Sequence, residues 1–310
     1  MNTKQILSRF RWFFFRDGFI YVLIISAAMI AVDVPNVVRY IRIRQINDLN
    51  ANLNISQLID FSEGKIQASA VNWQRLILYF RTILTYFPSQ EVAEMFLGLC
   101  EYYGFDQEDL ALKYLCHSTD NRPIIFWNAY NTGIIFFKNG KIDQAIYYLE
   151  RALILPSDKI LLAMADSIIY RQILSGISGD YLFNRLTHAR EKVLLLLTAA
   201  HCYKKEYALA KIFAMKGITE PNIKNREPFY FYAGNIALLN GDSEDALLFF
   251  DKAIKAKSNN PLVYRYTANI LMKNGRFDDA QKISQIATTL EQSVNLDQFL
   301  YPDYLRLEFY

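Results

Sequence analysis

Small residues recur along this chain at a fixed spacing, and that spacing limits the fold more than any other feature. Gly234, Gly241, Ala246 and Ala253 fall at offsets 0, +7, +12 and +19. Ala268, Gly275, Ala280 and Ala287 repeat those offsets, with Ala268 34 residues after Gly234. Gly133, Gly140, Ala145 and Ala152 repeat them a third time, upstream. A constant period of this length marks stacked supersecondary units rather than one large core. Small side chains suit places where two helices approach closely, and a glycine at +7 suits a turn with positive φ. The apolar residues around them keep helical spacing. Trp127, Tyr130, Ile134 and Phe137 share one face, as do Ala145, Leu149 and Ala152.

The period and its four small positions resemble the tetratricopeptide repeat (TPR), a helix–turn–helix unit. The resemblance implies an all-α fold: a right-handed helical-repeat solenoid built from helix pairs. Weaker copies extend it. Gly98 stands 35 residues before Gly133, with Gly104 read as the turn and Ala111 in the second helix. Thr198, Ala210 and Gly217 sit at offsets 0, +12 and +19, with Lys205 in place of the turn glycine. Between them, Ser157–Arg190 is helical but irregular and reads as a distorted pair or an insertion. The expected solenoid spans residues 71–290, about two thirds of the chain, in five or six pairs. Residues 291–310 follow as a capping segment or tail.

The N-terminus has a different character. Residues 1–17 form a basic segment, with Lys4, Arg9, Arg11 and Arg16 against Asp17 and with Trp12, Phe13, Phe14 and Phe15 among them. No charge occurs from Gly18 to Val32. From Gly18 to Val38 a helix would be about 31 Å long, the thickness of a bilayer's hydrocarbon core. The preceding aromatics suit the headgroup region. Residues 18–40 are therefore expected to form a single transmembrane helix, ahead of the solenoid. A cleaved signal peptide, ending near Ser26-Ala27-Ala28, is one alternative; a buried helix is another, disfavoured by the lack of a polar face. The basic residues on the N-terminal flank outnumber Arg39, Arg42 and Arg44 on the other side only slightly. That bias favours a cytoplasmic N-terminus and an exported solenoid, periplasmic in a bacterium, over a cytoplasmic one. Residues 41–70, rich in Asn, Gln and Ser, read as a linker or short helix.

Nothing in the sequence assembles a catalytic centre, so no enzyme activity, cofactor or metal is expected. Cys116-His117 and His201-Cys202 are adjacent pairs, which point about 100° apart on a helix and chelate poorly. Gly140-Lys141 is followed by Ile142, where a phosphate loop needs Ser or Thr. Asp242, Glu244, Asp245, Asp278 and Asp279 fall at the starts of second helices, where they cap the helix and complement its dipole. Three cysteines, Cys100, Cys116 and Cys202, do not make a disulfide framework. A net charge of +3, from 34 basic and 31 acidic residues, gives no argument for nucleic acid, and no small-molecule substrate is indicated.

The resemblance also implies a binding groove lined by the first helices of successive units. Its positions are spaced i, i+3, i+7 and i+10. They are Trp127, Tyr130, Ile134 and Phe137 in one unit, Pro228, Phe231, Asn235 and Leu238 in another, and Leu262, Arg265, Asn269 and Met272 in the last. Some members of the family hold a peptide's terminal carboxylate with a base and an asparagine. Arg265 and Asn269 match that pair, whereas Phe231 stands where Asn235 would need a base. The apolar, aromatic lining suits an amphipathic helix or an extended apolar segment instead. The expected function is a membrane-anchored scaffold that binds other proteins, or copies of itself, in a larger machine of the flagellar, secretion or pilus type. The alternative is a chaperone-like peptide-binding adaptor that uses the groove.

Overall fold

A computed structural model describes residues 56–62, 64–121, 126–154, 156–166 and 178–293, with isolated residues between 38 and 53. The expected basic segment, nearly all of the 18–40 span and most of the 291–310 segment lie outside the described residues. Among the described residues no helix is long and apolar enough to cross a membrane.

The described chain is helical throughout. A short helix, α1 (Ser56–Ser62), precedes α2 (Trp73–Tyr86). Helix pairs follow: α3 (Glu91–Phe105) with α4 (Glu108–Asn121), and α5 (Phe126–Lys138) with α6 (Ile142–Ala152). Then come α7 (Ser157–Asp166) and the long α8 (Gly179–Tyr203). α8 pairs with α9 (Tyr207–Thr219), α10 (Glu227–Leu239) with α11 (Ser243–Lys255), and α12 (Pro261–Lys273) with α13 (Phe277–Ser293). Each pair also packs on the next, so the pairs form a TPR-like solenoid.

One hydrogen bond shows that the units are equivalent. The Lys141 amide donates to the Phe136 carbonyl at 2.9 Å, Asp242 to Ala237 at 2.9 Å, and Arg276 to Leu271 at 2.9 Å. Glu206 donates to His201 at 2.8 Å in the same way. Each closes the turn after a first helix, five residues back along the chain. The residue before each donor has positive φ: +68° at Gly140, +83° at Gly241, +75° at Gly275 and +61° at Lys205. Lysine therefore takes the glycine conformation in the turn between α8 and α9.

The α3–α4 turn differs. Here Gln107 donates to Glu101 at 3.1 Å, one residue further on, and the positive φ falls on Asp106. Gly104 is not the turn. It lies inside α3, where a Cβ would come within 2.5 Å of the Trp73 indole. Its smallness serves helix packing, and the extra length is taken up in α3, which has 15 residues against 13 in α5.

The small positions meet partners of matched size sixteen residues on. A Cβ on Gly133 would come within 2.7 Å of Leu149, and one on Gly234 within 2.6 Å of the Phe250 ring. In the last unit Ala268 stands at that place and the matching residue is Ser284; in the α8–α9 unit the pair is Thr198 and Ala214. Bulk on one helix is offset by its absence on the other.

The insertion reading of 157–190 describes the middle of the chain. α6 packs directly on α8, so the solenoid passes from the α5–α6 unit to α8–α9 with α7 outside the regular pairing. The N-terminal half of α8 belongs to this insertion and its C-terminal half is the first helix of the next unit. The two run together as one 25-residue helix, started by Ser178, whose hydroxyl accepts from the Tyr181 amide. At the other end, the expected linker contributes to the core. Leu58 and Ile59 of α1 are buried, and Phe61 packs edge-on against Trp73 and Tyr103.

Among the described residues α13 is the last second helix, and two of its outward positions are polar. Where α11 carries Leu247 and Ile254 beneath the following unit, α13 carries exposed Gln281 and Thr288.

Candidate functional site

The expected groove positions fall into three environments. Trp127, Tyr130, Ile134 and Phe137 are buried in the core. They share one cluster with Ile160 and Met164 of α7 and with Leu186 and Ala189 of α8. Phe126 stacks on Tyr130 at 5.7 Å, and Trp127 meets it edge-on at 5.8 Å. The insertion supplies apolar residues to this cluster, and the face is closed by the chain itself. A substitution at Tyr130 would report on folding rather than on binding.

In α10, Phe231 is buried, while Pro228, Asn235 and Leu238 are half-buried and the neighbouring Leu239 is 54% exposed. In α12, Leu262 is half-buried and Arg265, Asn269 and Met272 are exposed, Met272 by 53%. The buried residues of α12 are Pro261, Val263, Tyr264, Thr267, Ala268, Ile270 and Leu271. They leave the 265–269–272 stripe facing solvent. Of the expected positions, the open ones thus lie in the two C-terminal units. The face there combines apolar Leu238, Leu239 and Met272 with the amides Asn235 and Asn269. Such a face offers apolar area to a partner and amide groups to its backbone.

Arg265, the base of the carboxylate-holding pair, is already engaged. Its guanidinium donates to Glu291 at 2.6 Å, and Glu291 is the residue at which α13 approaches its end. A peptide carboxylate would have to displace this internal one.

Other polar clusters hold units together. Lys204 bridges Asp143 at 2.8 Å and Glu206 at 2.9 Å, tying the α8–α9 turn to the start of α6. Hydrogen bonding to these carboxylates raises the Lys204 pKa and, in return, lowers that of Glu206. His201 pairs with Glu206 at 2.7 Å and stacks on Phe213. His117 pairs with Glu94 at 2.8 Å. Asp242 caps α11 by accepting from the Asp245 amide at 3.1 Å, and Asp279 pairs with Arg276 at 2.6 Å. Between α10 and α12, Glu227 hydrogen-bonds Ser258, whose carbonyl accepts from the Tyr264 hydroxyl at 2.9 Å. Burial raises the Glu227 carboxyl above its usual range, against the opposing hydrogen bond from Ser258. Burial likewise raises the thiols, Cys100 well above the usual value and Cys202 to about 11, which disfavours the thiolate. Among the described residues no group of three or more His, Cys, Asp or Glu side chains is placed to hold a metal.

Sequence reasoning missed two features of this face. It did not find the burial of the α5 positions, which depends on tertiary packing. Nor did it find the Arg265–Glu291 pair, whose only signal is a complementary charge 26 residues downstream.

No family model matches the chain, and no curated protein matches it. Solved structures do show likeness. MamA is 15% identical over 64% of this chain and 95% of its own, with a TM-score of 0.47. The human IFIT1 dimer with PPP-AAAA is 15% identical over 69% of this chain and 58% of its own, at 0.27. The APC/C hetero-tetramer Cut9–Hcn1 is 15% identical over 74% of this chain and 46% of its own, at 0.31. The assignment of the fold rests on this chain's own repeated turn and matched helix pairs, which make it a TPR-like helical-repeat solenoid.

Proposed function

We propose that this protein is a non-enzymatic scaffold that binds another protein through the open first-helix face of its two C-terminal units. The observation that carries the reading is the solvent-facing set Leu239, Asn269 and Met272, on helices whose counterpart in the α5–α6 unit is closed. A solenoid exposes such faces because each unit buries only its contacts with its neighbours. The apolar and amide mixture suits an amphipathic helix or an extended apolar segment of the partner. The uncharged run from Gly18 to Val32 supports a membrane anchor, and with it a place in a membrane-associated assembly. The slight excess of positive charge before that run favours an exported solenoid.

The test is cross-linking in intact membranes followed by capture and mass spectrometry, comparing the unaltered chain with a Leu239→Glu/Met272→Glu variant. A defined partner should be recovered with the first and depleted at least tenfold with the second, while the circular dichroism spectra coincide. Equal recovery of every captured protein with both chains would refute this face as the site.

A further inference from the structure

Among the described second helices, α9 stands apart. We propose that α9 and the turn before it dock onto an anionic bilayer surface. Leu209 and Ile212 enter the headgroup boundary, and Lys205, Lys211 and Lys216 meet the lipid phosphates. α9 is a second helix and shares no residue with the face at Leu239 and Met272, so this surface is additional to the protein-binding one.

Three observations support it. The first is composition. α9 contains no carboxylate, whereas α4, α6, α11 and α13 contain two or three each. Just before the packed alanine, α6 carries Asp143-Gln144, α11 carries Glu244-Asp245 and α13 carries Asp278-Asp279; α9 carries Ala208-Leu209. α9 therefore lacks the first-turn acids that favour a helix N-terminus. The second is charge. From Tyr203 to Thr219 there are four lysines and one carboxylate, a net +3 that equals the charge of the whole chain. Lys204 is engaged by Asp143 and Glu206, and Lys205, Lys211 and Lys216 are exposed. The third is exposure. Tyr203 is 71% exposed, Ile212 59% and Leu209 44%. At about 100° per residue, Ala208, Ile212 and Thr219 occupy about 40° in the middle of the exposed arc of α9, with Lys211 towards one edge and Lys216 towards the other.

Apolar side chains between lysines match an interfacial site. The lysine stems run along apolar surface and set their ammonium groups at the level of the phosphates. Tyr203 brings a ring with a polar tip to the same level. Attraction of the lysines to a negative surface adds to the burial of Leu209 and Ile212, and salt screens it. Leu248 marks the contrast. It holds the position on α11 that Ile212 holds on α9 and is 50% exposed, but Glu244 and Asp251 lie one turn to either side of it. Those carboxylates repel anionic headgroups. A protein seated on α9 would need acids on both sides of an apolar ridge, whereas a bilayer needs only its negative charge.

The test places a photo-cross-linking phenylalanine analogue at Ile212, or at Met272 for comparison, in the full chain. The chain is reconstituted with phosphatidylcholine vesicles that contain either no phosphatidylglycerol or about 30% of it. Mass spectrometry should find phospholipid adducts at Ile212, several-fold more with phosphatidylglycerol than without, and few at Met272 in either. Raising NaCl to about 0.5 M should bring the Ile212 adducts down to the phosphatidylcholine level. Lys211→Glu/Lys216→Glu should do the same with an unchanged circular dichroism spectrum; if that variant loses its helices, the salt dependence decides. Ile212 adducts that are absent, that ignore phosphatidylglycerol, or that join another protein chain would each overturn the proposal, as would adducts that concentrate at Met272.

Discussion

At Gly234 a single methyl group is too much. A Cβ there would sit 2.6 Å from the Phe250 ring, with both helices held by neighbours on either side. Gly234→Ala should therefore lower stability by about 1–3 kcal/mol, read as a fall in Tm. In a Phe250→Ala background the same change should cost far less, a non-additivity that a double-mutant cycle measures. Lys205 is the opposite case, a side chain where its counterparts have none. With φ at +61°, Lys205→Gly should gain up to about 1 kcal/mol by removing left-handed strain; an unchanged or lower Tm would contradict that. Both sites were visible in the sequence as members of a series. Their partners were not, because matching Gly133 to Leu149 requires knowing how two helices cross. Gly104 shows the limit. A glycine near an expected turn looks like the turn, and only the Trp73 indole beside it reveals its role.

The long helix α8 shows what happens when an insertion and a repeat share one element. No breaker separates Arg190 from Glu191, so the helix runs on through the boundary. Glu191 is buried there, and desolvation raises its pKa from 4.5 to about 7, partly opposed by Lys192. The consequence for stability has a definite sign. Below pH 4.5 the carboxyl is protonated in both states and adds no penalty. As pH rises towards 7 the unfolded chain releases the proton and the folded chain retains it, so stability falls, then levels off above pH 7. The loss is on the order of 2–3 kcal/mol. Glu191→Gln should flatten this slope in urea titrations between pH 4.5 and 8; an unaltered slope would assign it to other groups. The helices themselves were legible from their apolar spacing. Which face of α5 stays open was not, since the burial of Trp127, Tyr130, Ile134 and Phe137 depends on tertiary packing that their spacing does not show.

On the scale of the whole molecule, two properties follow from the ends. The uncharged stretch after residue 17 predicts that the full chain floats with liposomes, whereas one beginning at residue 41 stays with the soluble fraction; equal partitioning would remove the anchor. The other end concerns how copies meet. Helical-repeat rods tend to adhere tip to tip when a terminal helix keeps an oily flank. On α13 Gln281 and Thr288 replace the Leu247 and Ile254 of the preceding unit, so beside the exposed Phe277 this face offers a second rod fewer apolar side chains. Gln281→Leu/Thr288→Ile should restore them and appear as concentration-dependent growth in light scattering. With those two side chains polar, α13 supports end-to-end lengthening less than an apolar copy of α11 would.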